Sequence, residues 1–294
     1  HSTLRAMELL ERFLDTLPVR GLGSLTPVVA VLRLDGVIGS LQRGFSLVEQ
    51  AAPIERAFKL RNLTAVALAI NSPGGSPVQS ALIAKRIRAL ADENNVPVFA
   101  FAEDVAASGG YWLACAADEI YADDSSIIGS IGVVSGSFGF TELIKKIGVE
   151  RRLHTAGDKK AILDPFTPEK ATDVKHLKAL QRDIHESFAE TVRVRRGKRL
   201  LGSEKEIFSG AFWTGGRALE LGLVDGIGDL RSVMRQRFGA EVKLRPVKGR
   251  RPFWKRRFGL SRGFTGTPPP AGDELAAGIL AAVEERLIWN RFGL

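Results

Sequence analysis

Four short apolar runs, "PVVAVLRL" from Pro27, "TAVALAI" from Thr64, "VPVFAFA" from Val96 and "DEIYA" from Asp118, are each followed by glycines or by a stretch with helical patterning. Runs of this length, apolar at nearly every position, are what strands look like when both faces of their sheet are covered, and covering both faces takes crossover helices. The pattern therefore predicts an α/β domain with a largely buried sheet. The chain has 294 residues, 45% of them hydrophobic and 26% charged, enough to bury one large core or two modest ones.

Around this centre the organisation reads in four parts. Residues 1–26 combine an amphipathic helix, "LRAMELLERFLDTL", with a linker broken by Pro18 and the glycines of "RGLGSL". Residues 27–240 are the main domain, with one long polar-faced helix over 168–196 and a helix-rich part after it. Residues 241–271 are a basic stretch ending in the Pro-rich linker "TGTPPPAGDE", and residues 272–294 form an amphipathic helix suited to docking on the body, on another subunit or on a membrane. The formal charge of +9 is concentrated between Lys243 and Arg262, where nine cations stand without an acid, interleaved with Phe253, Trp254 and Phe258. That composition suits an anionic membrane surface. No nucleic-acid module accompanies it, so nucleic acid is not an expected partner.

No run of the sequence reaches the roughly 20 apolar residues of a bilayer-spanning helix. The chain reads as cytoplasmic or peripherally membrane-associated, and its start at His1 is compatible with removal of an upstream anchor. The single cysteine, Cys115, excludes an intrachain disulfide framework.

The chemistry is concentrated in two glycine clusters at predicted strand ends, "AINSPGGSP" after the strand at 64–70 and "AASGGYW" after the one at 96–102. Glycines at a strand-to-helix turn can leave amide N–H groups directed into a cavity, and acyl transfer needs about two such donors for its oxyanion. Ser108, flanked by Ala107 and Gly109, is the candidate nucleophile. The Gly109 amide is one candidate donor, and Gly75, ahead of Gly74, the other. Tyr111, Trp112 and Cys115 read as packing residues of the following helix. A serine so placed is otherwise an ordinary helix N-cap.

A nucleophilic serine needs a base. The histidines are His1, His154, His176 and His185; only His154 lies in a loop near a strand end, and the last two face different sides of the long helix. Lysine is the other choice, with Lys159 and Lys160 both in "HTAGDKKAILDPF". A lysine serves as base when burial lowers its pKa enough to leave it neutral.

Taken together, "INSPGG", "DVAASGGYWLACAADEIYADDSSIIGSIGV", "GDKKAILDPF" and "FWTGGRALELGLVDGIGDL" resemble, in order, the motifs of the bacterial signal peptide peptidase A family of serine–lysine peptidases, including its SohB-like short forms. The likeness runs from about Val28 to Leu230. It implies a ClpP/crotonase-type fold of stacked ββα units with additional helices, Ser108 as nucleophile, and Lys160 as base by its place three residues after Gly157, with Lys159 at a variable position. It also implies a homo-oligomer whose active sites are shared between subunits, apolar peptide substrates such as residual signal peptides, and no metal or other cofactor. A Clp-type protease would need a histidine about 25 residues past the serine, and "IGVVSG" at 131–136 has none. A crotonase would need acidic groups beside its oxyanion loops. A catalytically idle scaffold of a membrane complex is the remaining alternative.

Overall fold

The computed structural model describes residues 26–39, 44–157, 159–247, 283 and 286–293. The helix and linker read at 1–26, the basic stretch from residue 248, the Pro-rich linker and the start of the last helix thus lie outside the described residues, apart from Thr26.

Strands β1 (Val28–Asp35), β2 (Leu63–Ser72), β3 (Val98–Ala107) and β4 (Glu119–Ala122) occupy the four apolar runs. Four short strands, β5 (Ile127–Gly129), β6 (Phe212–Thr214), β7 (Gly226–Ile227) and β8 (Lys243–Pro246), complete one sheet in the order β6-β5-β3-β2-β1-β8, with β4 joining β3 to β7. All pairings are parallel except β5 with β6. Strand β8 pairs with β1 from Val28 to Val31, so the sheet extends past residue 240, where the sequence reading ended the main domain. Lys243 and Arg245 of the basic stretch belong to this edge strand.

Parallel pairing demands crossovers, and helices α1 (Leu47–Phe58) and α2 (Pro77–Asn94) supply the first two. Local chemistry sets their ends. Glu49 accepts from the Ser46 amide at 2.9 Å in a capping box before α1. Helix α2 starts with Ser76 as N-cap and Pro77 in its first turn, and Asn95 closes it in the left-handed region at φ 50°. One face of the sheet, with Leu32, Leu34, Leu68, Ile70 and Ala100, packs on these helices. On the other, Val29, Ala65, Phe99 and Phe101 meet Val233 and Met234 of helix α8, defined below. Both faces are covered over most of the central strands, which is why the runs are apolar at nearly every position. This is the α/β architecture with a central sheet that the ClpP/crotonase-type expectation calls for.

After β3 the chain forms the short α3 (Gly109–Ala114). Beyond β5 it leaves the body as an exposed arm over residues 133–170, containing α4 (Thr141–Lys146), and returns through the long α5 (Ala171–Arg196). That helix begins at Ala171, three residues after Pro168. Trp112 of α3 stacks on Phe188 of α5 at 4.6 Å. The remaining helices are α6 (Glu204–Ile207), α7 (Gly215–Glu220) and α8 (Leu230–Phe238). Strands β6 and β7 lie among them, where the sequence suggested helices. A buried ion pair ties α5 to the turn after α7: Arg196 Nη1 lies 2.6 Å from Asp225 Oδ2, and its guanidinium also donates to the Gly222 carbonyl.

Candidate active site

Strand β3 changes neighbour along its length. Phe99–Phe101 pair with β4, whereas Val105–Ala107 pair with β5. Between the halves Asn71 bridges β2 and β3: its Nδ2 donates to Asp104 Oδ2 at 3.1 Å, and its Oδ1 accepts from the Val105 amide at 3.3 Å. The polar pair Glu103–Asp104 thus belongs to the strand, and β3 runs five residues past the predicted end at residue 102. This extension carries Ser108 to the rim of the sheet.

Ser108 sits between β3 and α3 with φ 52° and ψ −122°. A non-glycine residue at positive φ is strained by about 1–3 kcal/mol, and such strain persists only where the surroundings over-determine it. Here the Ser108 amide donates to the Gly129 carbonyl at 2.7 Å, and the Ser108 carbonyl accepts from the Trp112 amide at 3.0 Å. Although Ser108 occupies the N-cap position, its side chain makes no capping hydrogen bond. Its dihedrals lie far from the extended backbone of an ordinary cap. A sharp, strained strand-to-helix turn that frees a hydroxyl is the geometry of a nucleophile elbow.

The small neighbours follow from close approach. A Cβ on Gly74, itself at φ 105°, would stand 2.8 Å from both Ser108 Cβ and the Gly109 nitrogen. One on Gly109 would stand 2.4 Å from Ser80 Oγ. The two glycine clusters are therefore in mutual contact, and side chains on either would force them apart.

Their amides differ. The Gly74 N–H donates to Ser72 Oγ at 3.2 Å. The Gly75 segment runs beside Ile38, whose amide donates to the Gly74 carbonyl at 2.8 Å and whose carbonyl accepts from the Ser76 amide at 2.8 Å. In a parallel bridge of this kind the middle residue's own N–H faces away from the partner strand. Gly109 opens α3, where the first-turn N–H groups have no intrahelical acceptor.

Ser108, Gly109, Gly74 and Gly75 thus come together; the lysines stand apart. Lys159 and Lys160 are exposed on the arm, Lys160 in a turn whose amide donates to the Gly157 carbonyl at 3.1 Å. Among the described residues no hydrogen bond joins either lysine to Ser108. The arm has a small centre of its own, with Phe140 packed on Phe166, Arg151 lying 4.8 Å over the Phe166 ring, and Asp164 paired to Arg151 at 3.0 Å. It leaves Val134, Phe138, Ile147 and Val149 exposed.

Ser130 is a residue that sequence reasoning passed over. It follows Gly129, is 2% exposed, and is also held at positive φ, 54°. The glycine spacing of "GSIG" was its signal. Of the docking partners open to the C-terminal segment, its described part takes the body, with Phe292 buried among Val105, Ala107, Ile127 and Trp289 and 5.1 Å from the Phe212 ring. Tyr111, Trp112 and Cys115 are all buried. Tyr111 donates its hydroxyl to the Leu223 carbonyl at 2.7 Å, and burial pushes the Cys115 thiol up to about 12, so it stays protonated and unreactive.

Comparison with known proteins gives a family, and relatives that carry two different names. The description "Peptidase family S49" matches residues 91–243. A Brucella abortus protein named "Na(+)/H(+) antiporter NhaA" is 51% identical over 273 residues, which are 90% of this chain and 37% of that protein. "Serine protease SPPA, chloroplastic" of Arabidopsis thaliana is 32% identical over 213 residues, 69% of this chain and 31% of its own length. The chain thus spans about a third of either relative. A solved structure of a membrane-bound stomatin-specific protease with a substrate peptide aligns with 79% of this chain and 95% of its own, at 14% identity and a TM-score of 0.49.

Proposed function

Because this chain belongs to peptidase family S49, we propose that it is a serine endopeptidase in which a Ser108–Lys160 dyad cuts apolar, extended peptides, residual signal peptides among them, at or near a bacterial membrane. The observation that carries this reading is the conformation of Ser108: strained, at a strand-to-helix turn, with a hydroxyl that caps nothing.

Ser108 Oγ attacks the scissile carbonyl while the neutral Lys160 amine takes its proton. The tetrahedral oxyanion is held by the N–H groups of Gly109 and Gly75; engagement of the Gly74 N–H by Ser72 favours Gly75 as the second donor. Collapse expels the amine, which receives the proton from Lys160, and leaves an acyl group on Ser108. Water, deprotonated by the same lysine, then releases it. The route uses no metal or organic cofactor.

A lysine serves as base when it is taken out of water, and Lys160 is exposed in the single chain. The reading therefore includes a second copy of the chain that covers the arm and removes its lysine from water. The exposed apolar side chains of the arm suit such a contact. The basic stretch adds contact with an anionic membrane surface. Antiport is not carried over from the Brucella relative, of whose length this chain covers 37%.

The test is reaction with a fluorophosphonate probe together with cleavage of an apolar signal-sequence peptide, across a dilution series. Labelling confined to Ser108, with specific activity falling on dilution, supports the reading. A folded protein that neither labels nor cleaves at any concentration would leave the idle scaffold in its place.

A further inference from the structure

Helix α5 presents Lys178, Gln181, Arg182 and His185 on one face, at three- and four-residue spacing, and together with Val133 they line an open cavity of about 220 Å³. Among the described residues neither Lys178 nor Arg182 makes an ion pair. Like charges four apart on a helix destabilise it by a few tenths of a kcal/mol, so this arrangement costs stability. One segment later on the same helix the opposite pattern holds: Arg193 is paired with Glu186, Glu190 and Glu204. Glu186, one turn after Arg182, is paired to Arg193 instead, so the cavity is walled by two cations without a direct ion pair, a local conflict of the kind expected where function sets the sequence.

The cavity is tied to the candidate active site through the backbone. His185 Nε2 lies 3.2 Å from the Ile131 carbonyl oxygen. A carbonyl only accepts, so Nε2 carries the hydrogen. Ile131 directly follows Ser130, and Gly129 before it accepts from the Ser108 amide. From Ser130 to the cavity wall at Val133 is three residues, about 10 Å of extended chain. Residues 133–139 continue outside any ladder. A peptide lying along them with its scissile bond at Ser108 would carry a side chain over the cations.

We propose that this cavity is a substrate subsite for an acidic side chain, about three to four residues from the scissile bond. The proposal rests on the peptidase reading above and adds a charge requirement that apolar substrates alone do not contain. Continuity with the Ser108 segment favours a peptide over a lipid headgroup as the source of the carboxylate.

In the full chain, a fixed apolar peptide carrying Glu or Gln is walked along both sides of the cleavage point, and kcat/KM is compared for each pair. At one position Glu should exceed Gln by about fivefold. The ratio should fall to about one in a variant with Lys178→Glu and Arg182→Glu. The same pairs are titrated against the Ser108→Ala full chain by fluorescence anisotropy, which reads the subsite without cleavage, so a failure of the peptidase reading shows itself separately. No position at which Glu is preferred in binding, or a preference that survives charge reversal, overturns the proposal. So does loss of binding to phosphatidylglycerol vesicles in the double variant without any peptide preference in the unsubstituted protein, which would assign the cations to lipid.

Discussion

The Ser108 amide donates to the Gly129 carbonyl at 2.7 Å, and this bond joins the end of β3 to the end of β5 at the point where the backbone turns left-handed. The serine is held from its main chain, so its hydroxyl is spared any structural duty. Replacement of that hydroxyl should therefore separate chemistry from folding. Ser108→Ala is expected to abolish probe labelling and peptide cleavage while the thermal midpoint stays within about 2 °C. A large drop in the midpoint would show the side chain to be structural after all.

The lysines are distinguished by the same assay. Lys160→Ala should reduce kcat by at least about 10²-fold, the usual range for loss of a general base, and Lys159→Ala should keep most activity. Both are exposed in the single chain, so neither substitution should alter folding. The reverse ranking would move the base to Lys159.

Gly74 tests the contact between the two loops. In Gly74→Ala the new Cβ would meet Ser108 Cβ and the Gly109 nitrogen at 2.8 Å, on a backbone with φ 105°. The expected result is a loss of about 1–3 kcal/mol in chemical denaturation, with activity falling further than stability because the Ser108 turn itself is displaced. Unchanged kcat would mean that the two loops separate without consequence.

How much of this was legible beforehand follows from what each residue contacts. The long strands could be read because burial on both faces makes them apolar at each step. Strands β5 to β8 could not: two to four residues carry too few side chains to show a period, and Lys243 and Arg245 of the edge strand β8 are exposed. Glu103 and Asp104 hid the end of β3, because their partners, Arg33 of β1 and Asn71 of β2, come from other strands and not from nearby sequence. The turn at Ser108 was visible through its small neighbours, since close approach restricts residue size locally. Ser130 is held by a bond from its amide to the Ala211 carbonyl, 81 residues away in sequence, so only the flanking glycines of "GSIG" mark it locally.

Acid should expose the Arg196–Asp225 pair. Burial acts to raise the Asp225 carboxyl, but the hydrogen bond and charge of Arg196 outweigh it, so the group titrates below its ordinary value. A depressed carboxylate contributes stability above its unfolded value of about 3.9, and that contribution is lost as pH falls through the lower folded value. Asp225→Asn leaves a buried guanidinium without its counter-charge and should cost about 3 kcal/mol at pH 7 in urea denaturation. The gap between the two proteins should narrow below about pH 4. A gap independent of pH would refute the linkage.

Phe292 closes the sheet behind Ser108, packing with Val105 and Ala107 at the end of the strand that precedes it. Phe292→Ala should release the C-terminal segment, seen as faster tryptic cleavage near Arg291, and should lower kcat more than it changes KM. Phe292→Leu, which refills most of the volume, should restore both. Persistence of full activity with a released terminus would uncouple the segment from the site.

The left-handed backbone at Ser108 has a further consequence for how such a chain ages under mutation. Glycine alone could take up that bend without steric penalty, so Ser108→Gly should melt later than Ser108→Ala, by about 1 kcal/mol. On the proposed reading, a lineage no longer required to cut peptides would meet a downhill path there, trading its hydroxyl for heat resistance. Retention of serine at this bend is therefore a thermodynamic concession that only continued use can maintain.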